Sequence, residues 1–153
     1  MPSLDEVYRK FGEVSEAAQL LETELGNMLF LHSGIAAGLL HTPNSGQARE
    51  LLTFVNRQTL GQLLKSLNRS TDSLSELEAL MSTALKERNR LSHSFYREHN
   101  FRRNSDEGRA LMLQDLEGMH DTIIEAYKAV MRLSGIDLGK MNDAPLPTGH
   151  LPI

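Results

Sequence analysis

The sequence predicts an all-α protein, an antiparallel bundle of four to five helices. Apolar residues recur three and four positions apart along most of the chain, and this spacing places them on one face of a helix. No segment alternates polar and apolar residues as a half-buried strand does, and only 5% of the residues are aromatic. The connections between the helical segments are short, which favours antiparallel packing in a bundle.

The first predicted helix is the longest, with an apolar face that begins at Leu4 and continues to Leu39. We expect it to bend near Gly34 or Gly38, because glycine weakens a helix. The same face contains His32. A lone histidine on an apolar face is more often a hydrogen-bonded core residue than a ligand, so we expect His32 to lie in the core.

The second and third helices each follow a loop. The turn-rich segment "HTPNSGQ" precedes an apolar stretch at residues 48–67, which Thr59 and Gly61 are expected to interrupt. After the loop "NRSTDS", candidate N-cap residues at positions 70–72 indicate the start of a third helix, at about residues 72–98.

A fourth helix follows the loop "NFRRNSDEG", and its apolar positions run from Met112 to Leu133. The chain from Gly135 onward is rich in glycine and proline, which predicts a flexible tail. We therefore expect one helical domain at residues 1–134 and a tail at residues 135–153.

The composition restricts the class of protein. The chain of 153 residues contains no cysteine, which excludes disulfides and thiolate metal sites and fits a reducing compartment. No signal peptide is visible, and the most apolar run, "MLFLHSGIAAGLL", is too short and too polar to span a membrane. We expect a soluble, cytoplasmic protein with no membrane partner.

Basic residues are concentrated in one segment. The net charge is −4, yet residues 86–109 contain seven of the sixteen basic residues and only four acids, a local charge of +3. Such a cluster can hold a phosphate backbone on an otherwise acidic protein. The alternative is a solvated helix end with ordinary ion pairs.

One of these basic residues, Arg88, occupies an apolar position of the third helix. The apolar spacing runs through Ala84 and Leu91, and Arg88 lies where the intervening apolar residue would be. A buried charge costs several kcal/mol or more unless it is paired, so we expect Arg88 to be paired within the chain or met by a second subunit.

Arg88 is followed by Asn89 and His93 on the same predicted helix. The three side chains offer a fixed cation with several donors, an amide that can orient a ligand, and an imidazole that can exchange a proton near neutral pH. This set suits a phosphodiester, because one group can move a proton while another stabilises developing negative charge. It also suits a structural polar network.

The segment "RNRLSH" resembles the signature of HEPN-domain proteins: an arginine, a polar residue that is commonly asparagine, and a histidine a few positions later. In that family the motif lies in the third helix of a compact bundle, and the similarity in architecture covers roughly residues 5–134. The resemblance implies a homodimer or pseudo-dimer whose two motifs face each other across the interface and form one cleft. It also implies a metal-independent endoribonuclease of the toxin–antitoxin or phage-defence type.

Carried onto this sequence, the resemblance implies that Arg88 stabilises the phosphate, Asn89 positions it and His93 acts as general acid or base. The 2′-hydroxyl of RNA would attack the neighbouring phosphorus, giving a cyclic phosphate and a free 5′-hydroxyl, without metal or cofactor. The neighbouring side chains expected to bind the RNA are Arg90, Tyr96, Arg97, Arg102 and Arg103.

One position departs from the family pattern. HEPN toxins that are paired with a nucleotidyltransferase antitoxin commonly have a tyrosine two residues after the histidine, and here that residue is Phe95, followed by Tyr96. We expect Phe95 to be core and Tyr96 to lie at the rim of the cleft, so regulation by tyrosine adenylylation is not expected. An antitoxin protein remains a possible partner. The alternative function is a non-catalytic HEPN-like module that binds RNA, a nucleotide or a protein.

A metal site is not expected from the histidines. His93 and His99 are six residues apart and do not share a helical face, and His41 lies in a predicted loop.

Overall fold

The computed structural model describes residues 1–70, 75–135 and 148–149, and every regular element in these ranges is helical. A short 3-10 helix, Asn100–Asn104, precedes the last of six α-helices. The predicted all-α bundle is confirmed. The α-helices are α1 at Leu4–Ala36, α2 at Ser45–Asn56, α3 at Leu60–Ser70, α4 at Ser75–His93, α5 at Phe95–His99 and α6 at Asp106–Leu133.

The long helices α1 and α6 form the centre of the bundle and run parallel to each other. At one end, Nε of Arg109 donates a hydrogen bond to the carbonyl oxygen of Pro2 at 2.6 Å. At the other end, the hydroxyl of Ser134 donates to Glu24 at 3.0 Å. Helix α4 packs against α6, and the two are connected by α5 and the 3-10 helix, which reverse the chain direction. Helix α4 is therefore antiparallel to both long helices. Helices α2 and α3 pack against α1.

The apolar face of α6 packs against that of α1 to form much of the core. The side chains at three-four spacing are fully buried, and together with the buried face of α1 they exclude water along the bundle axis. The buried residues of this face are Met112, Leu116, Met119, Ile123, Ala126 and Val130. Leu133, which the sequence assigns to the same face, is half exposed because it is the last residue of the helix.

Local sequence signals start both long helices. Ser3 and Glu6 form a reciprocal capping box at the start of α1, and Ser105 accepts a hydrogen bond from the backbone of Gly108 at the start of α6. The bend expected in the first helix is instead its end. Gly38 has φ +73°, a left-handed conformation that glycine adopts without a steric cost, and α1 ends at Ala36.

The prediction that His32 belongs to the core is wrong, because its side chain is exposed. The neighbouring apolar residues Leu31 and Ile35 are also more than half exposed. Since the end of α6 lies beside Glu24, the last turns of α1 extend beyond α6 and are not covered by it. The apolar spacing of α1 therefore continues beyond the part of the helix whose side chains α6 can bury.

The other predicted boundaries are close to the observed ones. The interruption expected at Thr59 and Gly61 appears as the break between α2 and α3. The third predicted helix is divided at Ser94 into α4 and α5, although helical hydrogen bonds continue from both sides of that residue. The N-cap predicted at residues 70–72 and the tail predicted from residue 135 lie for the most part outside the described residues. In the described ranges, no helix is both long enough and apolar enough to cross a membrane.

Candidate functional site

Arg88 lies on the side of α4 that faces α1, where it forms an ion pair with Glu22. Nε of Arg88 donates to Oε1 of Glu22 at 2.8 Å, and Nη2 lies at the same distance from that oxygen. The two side chains are 24% and 27% exposed. The charge at this apolar position is therefore satisfied within the chain, and a second subunit is not needed to pair it.

The other two residues of the motif lie on the exposed side of α4. Oδ1 of Asn89 accepts a hydrogen bond from Nη1 of Arg88 at 3.1 Å. His93, the last residue of α4, is exposed, and its imidazole has no hydrogen-bond partner in the described part of the chain. Asn89 and His93 are one helical turn apart and share a face. The structure thus joins Arg88 to Asn89 directly and leaves His93 one turn away.

A cavity of about 460 Å³ lies beside the Arg88–Glu22 pair, between α1 and α4. Ser15, Gln19 and Ser92 contribute polar groups to its wall, and Ala18 and Leu91 contribute apolar ones. Neither Asn89 nor His93 lines it. Of the three motif residues, only Arg88 therefore lines this cavity.

Arg90 faces the opposite side of α4, because two residues turn a helix by about 200°. Its guanidinium contacts Asp115 of α6 and donates hydrogen bonds to Glu87 at 2.6 Å and to Glu98 at 2.8 Å. Burial lowers the pKa of Arg90, but the hydrogen bonds to Asp115 and Glu98 outweigh it, so the pKa lies above its usual value. Arg90, predicted to bind RNA, is thus an internal link between α4, α5 and α6.

His99 also belongs to the network around Arg90 and Asp115, although the sequence does not predict it as a site residue. Its side chain is only 4% exposed, and Nε2 lies 2.8 Å from Oδ2 of Asp115. Nδ1 lies 3.2 Å from Nη1 of Arg102. Because a guanidinium can only donate, Nδ1 must accept, and Nε2 therefore carries the proton that is donated to Asp115. This histidine continues the four-residue spacing of the buried residues Leu91 and Phe95. That spacing is the sequence signal that could have identified His99 as a buried residue.

The stability of the protein is expected to fall at acidic pH through Asp115. Burial raises the pKa of this carboxyl, but hydrogen bonds from Arg90 and His99 more than offset burial, and the pKa lies below its usual value. A carboxyl with a lowered pKa in the folded state contributes stability that is complete above its unfolded pKa of about 4 and is lost as the pH falls through the folded value.

Urea unfolding of the wild type and of Asp115→Asn, followed between about pH 7 and about pH 3, measures this contribution. We expect the wild type to lose stability below about pH 4 and the variant to lose distinctly less over the same interval. An identical pH dependence of the two proteins would contradict the assignment.

The remaining predicted binding residues lie on α5 and the 3-10 helix. Tyr96 packs its ring against Phe11 and Phe95, with centroids 5.4 and 5.1 Å away, and remains partly exposed. Burial, followed by the nearby Tyr8, raises the pKa of Tyr96. Phe95 is buried, as predicted from the sequence.

Arg97, Arg102 and Arg103 differ from the other arginines of the basic segment because they lack a carboxylate partner. Among the described residues, Arg88, Arg90 and Arg109 each form an ion pair with an acidic side chain, whereas these three do not. Arg97 donates to the backbone oxygen of His93 at 2.9 Å, Arg102 contacts His99, and Arg103 donates to the hydroxyl of Tyr8 at 3.0 Å. In the described part of the chain these three guanidinium groups form no ion pair, although Arg102 lines the same cavity as Glu98 and Asp115.

The Arg88–Glu22 ion pair is expected to contribute modestly to stability. Both groups are about one quarter exposed, so solvent screens part of the attraction, and a double-mutant cycle with Arg88→Ala and Glu22→Ala should give a coupling of about 0.5–1 kcal/mol. Chemical unfolding of the four proteins measures it. A coupling indistinguishable from zero would show that the pair does not hold α1 against α4.

The described histidine, aspartate and glutamate side chains form no group of three or more that could hold a metal ion. His93 is exposed, whereas His99 is engaged with Asp115.

Comparisons of this chain with protein-family models, with curated protein sequences and with solved structures gave no significant match. The resemblance to HEPN-domain proteins therefore depends on the motif at Arg88, Asn89 and His93 and on its place in a helical bundle.

Proposed function

We propose that this protein is a metal-independent endoribonuclease of the HEPN toxin or defence type, with Arg88, Asn89 and His93 as its catalytic residues. The observation that carries the proposal is the exposed imidazole of His93, which has no partner in the described residues and lies one turn from the Arg88–Asn89 pair. A histidine that is accessible and unpaired can take and return a proton at the 2′-hydroxyl and the leaving oxygen.

The guanidinium of Arg88 supplies the positive charge in this scheme. Its Nε and one hydrogen of Nη2 are used by Glu22, and one hydrogen of Nη1 is used by Asn89, which leaves one N–H on each terminal nitrogen for a phosphate oxygen. Glu22 holds Arg88 in place, but its carboxylate also offsets the positive charge that Arg88 presents to a phosphate. The partial exposure of the pair allows an RNA phosphate to reach it from solvent.

The unpaired arginines supply the electrostatic attraction for RNA. Arg97 is bonded to the backbone of His93 itself, and Arg102 and Arg103 follow on the 3-10 helix. Arginines without acidic partners release counterions when they bind a phosphate backbone, which favours association at low salt. Tyr96 lies beside them at the surface.

A homodimer forms part of the proposal, because a second copy would bring two motifs together at one cleft. Its basis is the resemblance, since Arg88 is paired by Glu22 within one chain. Two copies of the Asn89–His93 face would form a symmetric, self-complementary interface.

The experiment that tests the proposal is incubation of the purified protein with a mixed-sequence RNA, with and without a chelator. We expect cleavage in both conditions, with products that carry a cyclic 2′,3′-phosphate and a 5′-hydroxyl. Intact RNA at high protein concentration, or products that carry a 5′-phosphate, would overturn it.

A second candidate function is a non-catalytic HEPN-like module that binds RNA, a nucleotide or a protein. The Arg88–Glu22 ion pair favours it, because a guanidinium held by a carboxylate is less able to stabilise developing charge on a phosphate. Binding of RNA without cleavage would support this candidate over the nuclease.

A further inference from the structure

Phe101 is a large apolar side chain that the bundle does not bury. It lies in the 3-10 helix between α5 and α6 and is 76% exposed. Burying a phenylalanine contributes about 1.5–3 kcal/mol, so this exposure forgoes a stabilisation that most phenylalanines provide. In the sequence, Phe101 belongs to the predicted loop "NFRRNSDEG".

The two residues that follow Phe101 in the 3-10 helix are arginines. Successive residues of a 3-10 helix are turned by about 120°, so Phe101, Arg102 and Arg103 point in three different directions. Arg102 lies towards His99 on one side, and Arg103 lies towards Tyr8 on the other. Phe101 is thus followed in the 3-10 helix by two exposed arginines that form no ion pair with a carboxylate among the described residues.

The turn that carries Phe101 is firmly held. The carbonyl oxygen of Arg102 accepts from the backbone of Ser105 at 3.3 Å, and that of Arg103 accepts from Nη1 of Arg109 at 3.0 Å. The backbone of Arg102 also lies so close to Gly108 that a Cβ at position 108 would be 2.1 Å from its carbonyl oxygen. The ring is therefore presented on a fixed scaffold, which reduces the entropy lost when a ligand binds.

From these observations we infer that Phe101, Arg102 and Arg103 form a stacking platform for single-stranded RNA. One unpaired base stacks on the ring of Phe101, and the two arginines bind the phosphates on its two sides. A duplex does not fit this platform, because its bases are already stacked on each other and their faces are not accessible. An acidic protein surface would use the arginines but would not require an exposed aromatic ring beside them.

The platform lies close to the proposed catalytic residue. Phe101 follows His93 by eight positions in the chain, and only Ser94, α5 and the first residue of the 3-10 helix separate the two. This inference depends on the proposed function for the identity of the ligand as RNA, and it adds that the RNA is single-stranded and is held by stacking.

The test is a binding titration that does not require cleavage. A fluorescent single-stranded RNA of about 12 nucleotides, 2′-O-methylated so that no 2′-hydroxyl can attack, is titrated with the full chain at low salt. We expect Phe101→Ala to weaken binding by about 5- to 150-fold, the effect of losing one stacked base, and Phe101→Trp to restore it. Arg103→Gln should reduce the slope of log affinity against log salt by about 0.7.

Phe54 provides a matched control. Phe54 lies on α2, is 54% exposed, and loses the same ring when it is replaced by alanine. Helix α2 packs on α1 and carries no residue of the basic segment. Phe54→Ala should bind the RNA as the wild type does.

Four results would overturn the inference: no binding by the wild type, equal affinity for the matching duplex, unchanged affinity of Phe101→Ala, or equal losses in Phe101→Ala and Phe54→Ala. Cleavage is measured separately on unmodified RNA. Binding that depends on Phe101 without cleavage supports the platform and overturns the nuclease. Cleavage by a protein whose RNA binding does not depend on Phe101 supports the nuclease and overturns the platform.

Discussion

Replacing His93 by alanine is expected to reduce the rate of RNA cleavage by about 10²–10⁴-fold, the usual cost of removing a general acid or base. Its imidazole is exposed and has no hydrogen-bond partner in the described residues, so its removal leaves no buried group unsatisfied. The free energy of unfolding should therefore stay within about 0.5 kcal/mol of the wild type. Single-turnover cleavage of a defined RNA measures the first effect, and urea unfolding measures the second.

His32 supplies the control for this experiment. It is also exposed and unpaired within the described residues, but it lies near the end of α1 rather than beside Asn89. His32→Ala should cleave RNA at the wild-type rate. If His93→Ala cleaves as fast as the wild type, or if both variants lose activity to the same extent, His93 is not the proton-transfer group.

Substitution of Arg88 is a less selective test of catalysis, because this residue has both a proposed catalytic role and a structural one. Arg88→Ala removes the proposed phosphate ligand and also leaves Glu22 without its partner across the α1–α4 contact. Arg88→Lys keeps a positive charge but loses the planar fork that reaches both Glu22 and Asn89. Its activity has meaning only when it is compared with its stability, and the Glu22→Ala single variant supplies that reference.

The sequence predicts much of the fold, since apolar spacing depends only on local residues. The faces of α1 and α6 are buried where the spacing places them, and Phe95 is buried while Tyr96 is not. The spacing fails at His32 because burial also requires a second element to cover the face. How far α6 extends along α1 depends on the register of the two helices, and no local pattern reports it.

The same limit applies to the site. The position of Arg88 on an apolar face correctly indicates a need for a partner, but it does not identify Glu22, which is 66 residues away on α1. The sequence gives no means of ranking the seven basic residues at positions 86–109 as ligands for RNA. In the structure, some of them form ion pairs with carboxylates and others do not. Arg90 is surrounded by three carboxylates from three separate parts of the chain, and Arg103 by none within the described residues. Only tertiary contacts distinguish a structural arginine from one that is available to a ligand.

Gly108 is the position at which one methyl group is expected to have the largest effect on stability. It lies in the first turn of α6, where alanine would ordinarily be favoured over glycine by about 0.5–1 kcal/mol. Here a Cβ would lie 2.1 Å from the carbonyl oxygen and 2.6 Å from the Cα of Arg102, which are backbone atoms that cannot rotate away. We therefore expect Gly108→Ala to destabilise the protein by about 3 kcal/mol or more, because the 3-10 helix must move away from α6.

Gly118 is the matched control on the same helix, since nothing lies within 4 Å of the Cβ that would be added there. Gly118→Ala should stabilise the protein by about 0.5–1 kcal/mol, which gives the two substitutions opposite signs. Urea unfolding of both variants measures the difference. Because the backbone of Arg102 also positions Phe101, the Gly108 variant should bind single-stranded RNA more weakly under conditions where it is still folded, and the Gly118 variant should bind it normally. Equal stability of the two variants would show that α6 and the 3-10 helix are not packed as tightly as this contact requires.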